Sequence, residues 1–150
     1  MRLDIKRILN VPGTKVDLDF CVSQERLEAV RHVVFASPVK VVGAIENHAG
    51  LVTMEIQITF SLHVTCDRCL KETVQDFSYH AEHTVVRRVQ SAAQEENYII
   101  AEAECIDPEE IALTDLLLEL PSKMLCREDC KGLCPVCGCD RNETDCGHEN

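Results

Sequence analysis

Thr53-Met54-Glu55-Ile56-Gln57-Ile58-Thr59-Phe60-Ser61-Leu62-His63-Val64-Thr65 runs directly into Cys66-Asp67-Arg68-Cys69. Met54, Ile56, Ile58, Phe60, Leu62 and Val64 alternate with polar partners, the period of a strand with one face buried. The run is long for one strand, so a bend or strong twist is expected. After the two cysteines, Thr73 to Val86 alternates again, with Phe77, Tyr79, Ala81 and Val85 on one face. Cys66 and Cys69 therefore fall in the tight connection between two long antiparallel strands. Such a connection is a knuckle, a turn whose thiols face one point.

Upstream, Val39, Val41, Gly43 and Ile45 alternate as well, and Asn47-His48-Ala49-Gly50 reads as a hairpin turn. Residues 1–8 and Val16 to Phe20 read as further short strands, and Ser23 to His32 as a weakly marked helix. Gln90 to Asn97 is polar and reads as a loop, with Tyr98-Ile99-Ile100 a short strand after it. Asp107 suits a helix N-cap, Pro108 the first turn, and Glu109 and Glu110 the positive end of the dipole. Leu113, Leu116, Leu117 and Leu120 form an apolar stripe on this helix, and Pro121 ends it. The fold class is thus α+β: a mainly antiparallel sheet, partly barrel-like, with one C-terminal helix over 108–120 and a cysteine-rich zinc-knuckle tail. The division expected is a body over 1–121 and a metal-binding tail over 122–150 packed on it.

That tail holds six of the ten cysteines and is poor in bulky apolar residues, of which Leu125, Leu133 and Val136 are the main ones. Such a segment cannot offset the entropy of ordering its backbone, so thiols and a metal must do it. Cys134-Pro135-Val136-Cys137-Gly138 is a second knuckle, and Cys146 with His148 is its natural complement. Cys126 and Cys130 lack a local partner pair, as do Cys66 and Cys69. The assignment favoured by spacing is two structural zinc sites: Cys66, Cys69, Cys126 and Cys130; then Cys134, Cys137, Cys146 and His148. Cys139 is then spare, or exchanges with His148. A single site built from Cys66, Cys69, Cys134 and Cys137 also fits the spacing, so one or two ions are open here. An iron–sulfur cluster would also use four thiolates, but the run lacks the ferredoxin spacings, which favours zinc. Cys21 and Cys105 stand alone and read as small buried hydrophobes.

A hydrophobic content of 45% supports a real core and excludes a disordered chain. No run is long enough to cross a membrane, and Met1 to Arg7 lacks the apolar block of a signal peptide, so a reducing cytoplasmic setting is expected. The net charge of −11 argues against a generic nucleic-acid binder, and zinc thiolates leave the balance more negative still. An acidic body suits a basic protein partner; direct RNA contact is less favoured, since Arg87-Arg88 and Lys6-Arg7 could touch phosphate locally but adjacent positives of this kind are usually solvated surface. His63 lies on the polar face of its strand. His80 and His83, three apart on a strand, point to opposite faces, and His32 and His48 join no catalytic pattern. No phosphate loop, nucleophile elbow or dinucleotide fingerprint occurs, so no catalytic residue is expected. Four thiolates per ion leave no open coordination position.

Two segments together carry a resemblance. Cys66-Asp67-Arg68-Cys69-Leu70 follows the long strand. Leu120-Pro121, then Cys126-Arg127-Glu128-Asp129-Cys130-Lys131-Gly132-Leu133-Cys134-Pro135-Val136-Cys137-Gly138, follow the leucine-rich helix, with Asn142 and Cys146 closing the pattern. This resembles the bacterial YceD family, the large ribosomal RNA subunit accumulation proteins. The resemblance implies a role in 23S rRNA accumulation and hence in large-subunit assembly. With the charge and the missing catalytic pattern, the function expected is a non-enzymatic assembly factor that binds a ribosomal protein or pre-rRNA. A thiol- or zinc-responsive redox regulator is the alternative function. The family commonly has Cys-x-Cys where this chain has Cys146-Gly147-His148, and a residue other than cysteine at the place of Cys139.

Overall fold

The structure, a computed structural model, describes residues 1–30, 33–89 and 98–148. The expected loop over 90–97 and His32 lie outside the described residues. In chain order the elements are β1 (Leu3–Asp4), α1 (Lys6–Asn10), β2 (Lys15–Cys21), α2 (Gln24–Glu28), β3 (Val34–Phe35), β4 (Lys40–His48), β5 (Leu51–Thr65), β6 (Glu72–Val86), β7 (Tyr98–Ile100), β8 (Cys105–Ile106) and α3 (Pro108–Glu119). A short 3-10 turn covers Glu102–Glu104.

The long alternating run is the centre of the sheet. β5 pairs antiparallel with β4 on one side and β6 on the other, and the strand order is β2-β4-β5-β6-β7, with β3 beside β5 beyond the end of β4. Every inward residue of β5, from Val52 to Val64, is buried. Each such aliphatic or aromatic side chain contributes roughly 1.5–3 kcal/mol by leaving water. Phe60 stacks on Phe77 across the strands, with ring centroids 5.3 Å apart, and Phe35 and Tyr79 flank them.

The sheet is open, which corrects the partly barrel-like expectation. β2 and β7 are its outer strands, and β1 pairs with β8 in a separate two-stranded ribbon. Curling shut is not needed to hide the apolar face, because Ile8 of α1, Leu27 of α2, and Ala112 and Leu116 of α3 share one core with β4 and β5.

One hairpin turn and one close approach explain how β4 meets β5 in register. Ala49 and Gly50, both with positive φ (53° and 92°), form a two-residue hairpin turn between His48 and Leu51. Asn47 beside them is buried; its Nδ2 donates to Ile8 O (2.6 Å), and its Oδ1 accepts from Gly50 N–H (2.9 Å). Gly43 lies so close to β5 that a Cβ there would sit 2.0 Å from Glu55 O.

Three other expectations change. Residues 1–8 are not one strand: Ile5 and Ile8 are both buried, a helical spacing, and α1 forms there. The leucine stripe of α3 holds in part: Leu116 is buried and Leu113 and Leu120 pack against the core, but Leu117 is exposed, and Pro108 and Ala112 complete the buried face. The small Ala112 allows α3 to approach the sheet, a packing term that a stripe of leucines does not reveal. Cys21 is exposed and Cys105 half-buried, so neither is a fully buried hydrophobe. The start of α3 follows expectation: Asp107 accepts from Glu110 N–H at 3.1 Å. Arg26 donates to Asp107 (2.6 Å) and approaches Glu109 (3.5 Å), whose other oxygen accepts from Ser23 N–H (2.7 Å).

Candidate metal centres

Cys66 and Cys69 lie in the connection between β5 and β6. Cys66 N–H donates to Lys71 O (2.9 Å), and Leu70 N–H donates to Cys66 O (2.9 Å). Cys134 and Cys137 repeat this turn: Cys134 N–H donates to Cys139 O (2.8 Å), and Gly138 N–H to Cys134 O (2.9 Å). The residue after the second cysteine is left-handed in both, Leu70 with φ 61° and Gly138 with φ 75°. Glycine accepts that conformation freely, whereas leucine holds it at roughly 1–2 kcal/mol of strain.

The tail comes back to the first knuckle through specific bonds. Asp67 N–H donates to Met124 O (2.8 Å), while its Oδ2 accepts from Met124 N–H (2.9 Å). Arg68 Nη1 donates to Cys130 O (2.8 Å), Arg68 O accepts from Leu133 N–H (3.3 Å), and Gln75 Nε2 donates to Leu125 O. Gly132, with φ 77°, passes so close that a Cβ would come within 3.2 Å of Arg68 O.

These contacts gather Cys66, Cys69, Cys126 and Cys130, all four sulfurs lying within 4.8 Å of one another. The Cys66–Cys130 and Cys69–Cys126 Sγ pairs are each 3.6 Å apart. A zinc–sulfur bond of about 2.3 Å in a tetrahedron requires edges of about 3.8 Å, so this group matches the size of one ion. The distances are far too long for disulfides. Asn142 buttresses the group: its Nδ2 approaches Cys130 Sγ (3.3 Å), and its Oδ1 accepts from Lys131 N–H (2.8 Å).

The second group comprises Cys134, Cys137, Cys139 and Cys146, again within 4.8 Å. His148 is also present, its Nδ1 lying 3.2 Å from Cys146 Sγ and 3.6 Å from Cys134 Sγ. Cys139, spare on spacing alone, is drawn in because it directly follows the left-handed residue of the knuckle. Five donors therefore surround a position that a tetrahedral ion would fill with four. Cys66 and Cys69 are not brought to Cys134 and Cys137, the combination needed for a single shared site.

The electrostatics fit a cation in each group. Burial pushes the Cys66 thiol up, yet backbone N–H groups of Cys69, Cys126 and Arg68 outweigh it and bring it down to about 6. Backbone N–H groups of Cys137 and Val136 bring Cys134 down to about 6 against its burial. Within the same groups, burial and neighbouring sulfurs push Cys126 up to about 12, and Cys137 and Cys146 do the same to Cys139. Thiolates crowded at this spacing repel one another, and a dication removes that repulsion. Two groups of four cysteines could each hold a metal ion.

Asp67, Arg68 and Gln75 carry the attachment of the tail, and spacing gave no sign of it. The only hint is that Asp67 and Arg68 stand inside the first Cys-x-x-Cys. Among the described residues no helix is long and apolar enough to cross a membrane. No curated protein and no solved structure matches the chain. Residues 54–150 match the family described as "Large ribosomal RNA subunit accumulation protein YceD". That span takes in β5 from Met54 on, both knuckles, α3 and the cysteine tail, and the chain belongs to the YceD family.

Proposed function

We propose that this chain is a non-enzymatic factor for 23S rRNA accumulation and large ribosomal subunit assembly. It acts in the cytoplasm by contacting a ribosomal protein or pre-rRNA. Family membership over residues 54–150 is the observation that supports this reading. A net charge of −11 favours a basic ribosomal protein as the direct contact over bare RNA. Structural zinc holds the tail (122–150) to the body (1–121), one ion on Cys66, Cys69, Cys126 and Cys130. A second ion sits on Cys134, Cys137 and Cys146, with His148 or Cys139 as fourth donor. Thiolate donors and tetrahedral edges support zinc, and four protein ligands leave no position for catalytic water.

Affinity capture of the tagged, zinc-loaded protein from lysate, with and without RNase, tests the role. Large-subunit proteins retained after RNase, together with reduced 23S rRNA in cells lacking the chain, are expected. Normal 23S rRNA in such cells would refute the role, and loss of every ribosomal partner after RNase would refute protein contact. Metal analysis is expected to find two zinc ions per chain and no iron.

The five donors of the second group favour a second reading, a thiol- or zinc-responsive regulator. A four-coordinate ion there leaves one donor beside it, ready to exchange or be oxidised. On this reading Cys139→Ser abolishes zinc release by mild peroxide; unchanged release rejects it.

A further inference from the structure

β6 is fifteen residues long, yet β7 covers its outer side only at Thr84, Val85 and Val86. Among the described residues no other strand pairs with that side of β6. From Val74 to His83 the edge offers backbone N–H and C=O groups along about 30 Å, at about 3.3 Å per residue. Free edges of this length are normally guarded by lysine, proline or a bulge, because any extended chain can add to them. Glu72–Val86 contains neither lysine nor proline.

The chemistry beside the edge selects what can add. β6 carries Glu72, Asp76 and Glu82 on its exposed face and no arginine. At the His83 end of this edge a groove of about 390 Å³ opens between β7 and α3, with His83, Tyr98, Ile111, Asp115 and Leu118 in its lining. Of the α3 carboxylates, Glu110 and Asp115 line it, Asp115 lying 2.7 Å from His83 Nε2, and α3 has no lysine or arginine. A strand laid on β6 would set alternate side chains on the acidic outer face, and at its His83 end would reach the groove. Leu118, 78% exposed on the groove wall, would be covered by it.

We infer that the edge of β6 over Val74–His83, unpaired among the described residues and with the groove at its His83 end, docks an extended, lysine- and arginine-rich segment of a partner protein as an added strand. This rests on the protein-contact reading of the proposed function and deepens it. Main-chain bonds give such a complex its affinity and the alternating side chains its selectivity. Self-pairing of a second copy is disfavoured in two registers: centred on Phe77 it sets Glu72 opposite Glu82, and centred on Tyr79 it sets Asp76 opposite Glu82. The register centred on Ser78 sets Asp76 opposite His80 instead, and the test separates it. RNA meets the same carboxylates and is repelled.

The test uses the full, zinc-loaded protein and a fluorescent ten-residue peptide alternating lysine and valine, read by anisotropy and by hydrogen exchange. Binding that weakens with salt, together with new protection of amides from Val74 to His83, is expected. An alternating glutamate–valine peptide should not bind. The double variant Asp76→Asn/Glu82→Lys should bind at least tenfold more weakly, whereas Asp17→Lys on the far edge strand should not. Protection elsewhere, no binding, or an edge already protected by self-association without peptide would each overturn the inference. So would a single-stranded RNA that protects the edge. If the double variant misfolds, the protection map on the unmodified protein still decides. RNase-resistant capture of ribosomal proteins by a correctly folded double variant, at undiminished yield, would sink the edge inference and leave the proposed function standing.

Discussion

Replacing Cys66 by serine separates the ion from the protein contacts as the agent that holds the tail. A structural zinc site contributes on the order of 10–16 kcal/mol of apparent folding free energy. Against this stand the direct bonds between the first knuckle region and the tail: Asp67 with Met124 in both directions, Arg68 with Cys130 and Leu133, and Gln75 with Leu125. At about 1 kcal/mol net each they contribute roughly half of the ion's lower figure. The ion therefore dominates. The body core is a separate cluster that includes Ile45, Met54, Ile56, Ile58 and Leu116; Met124 of the tail packs against it, partly buried, and adds a minor apolar term. Cys66→Ser should lower the zinc content from two ions to one. It should speed amide exchange over residues 122–132 by at least about a thousandfold, since every 1.4 kcal/mol is a factor of ten. Exchange in β5 from Val52 to Phe60 should stay slow. Mass spectrometry of peptides after timed exchange, with zinc measured on the same sample, reads both. A tail that stays protected after one ion is lost would show that hydrogen bonds and packing suffice, and would refute the reasoning.

Further outcomes follow from single contacts. Asn47→Ala removes the bonds to Ile8 O and Gly50 N–H from a buried site and should lower stability by roughly 2–4 kcal/mol in urea unfolding. Gly43→Ala forces β4 away from Glu55 O and should cost roughly 1–3 kcal/mol on the same assay. Burial pushes the Glu109 carboxyl up from its ordinary 4.5, but the Ser23 N–H, the terminal ammonium and Arg26 together hold it below that value. Asp107 is likewise held below its ordinary 3.8 despite burial, chiefly by Arg26. A carboxyl whose pKa falls on folding stabilises fully above its unfolded value and loses that contribution as pH drops through the folded one. Stability should therefore fall as pH is lowered below about 4.5, and Glu109→Gln should flatten that part of the profile in acid-unfolding curves.

The local structure was legible wherever one short pattern decides it. Period-two alternation from Met54 to Val64 needs only the pleat of a strand and one buried face. Asp107-Pro108 marks a helix start through backbone groups within one turn. The two Cys-x-x-Cys turns follow from the tight bend each pair requires. Tertiary structure alone decided what meets what. Cys66 and Cys69 come to Cys126 and Cys130 because Asp67 and Arg68 bond to a segment more than fifty residues away. Cys139 joins the second group because the left-handed turn at Gly138 aims the next residue inward. The sheet stays open because helices cover its apolar face, and Ala112 takes a place on the buried face of α3 while Leu117 of the stripe stays exposed. Spacing along a chain specifies a turn; which turns face each other depends on packing across the whole core.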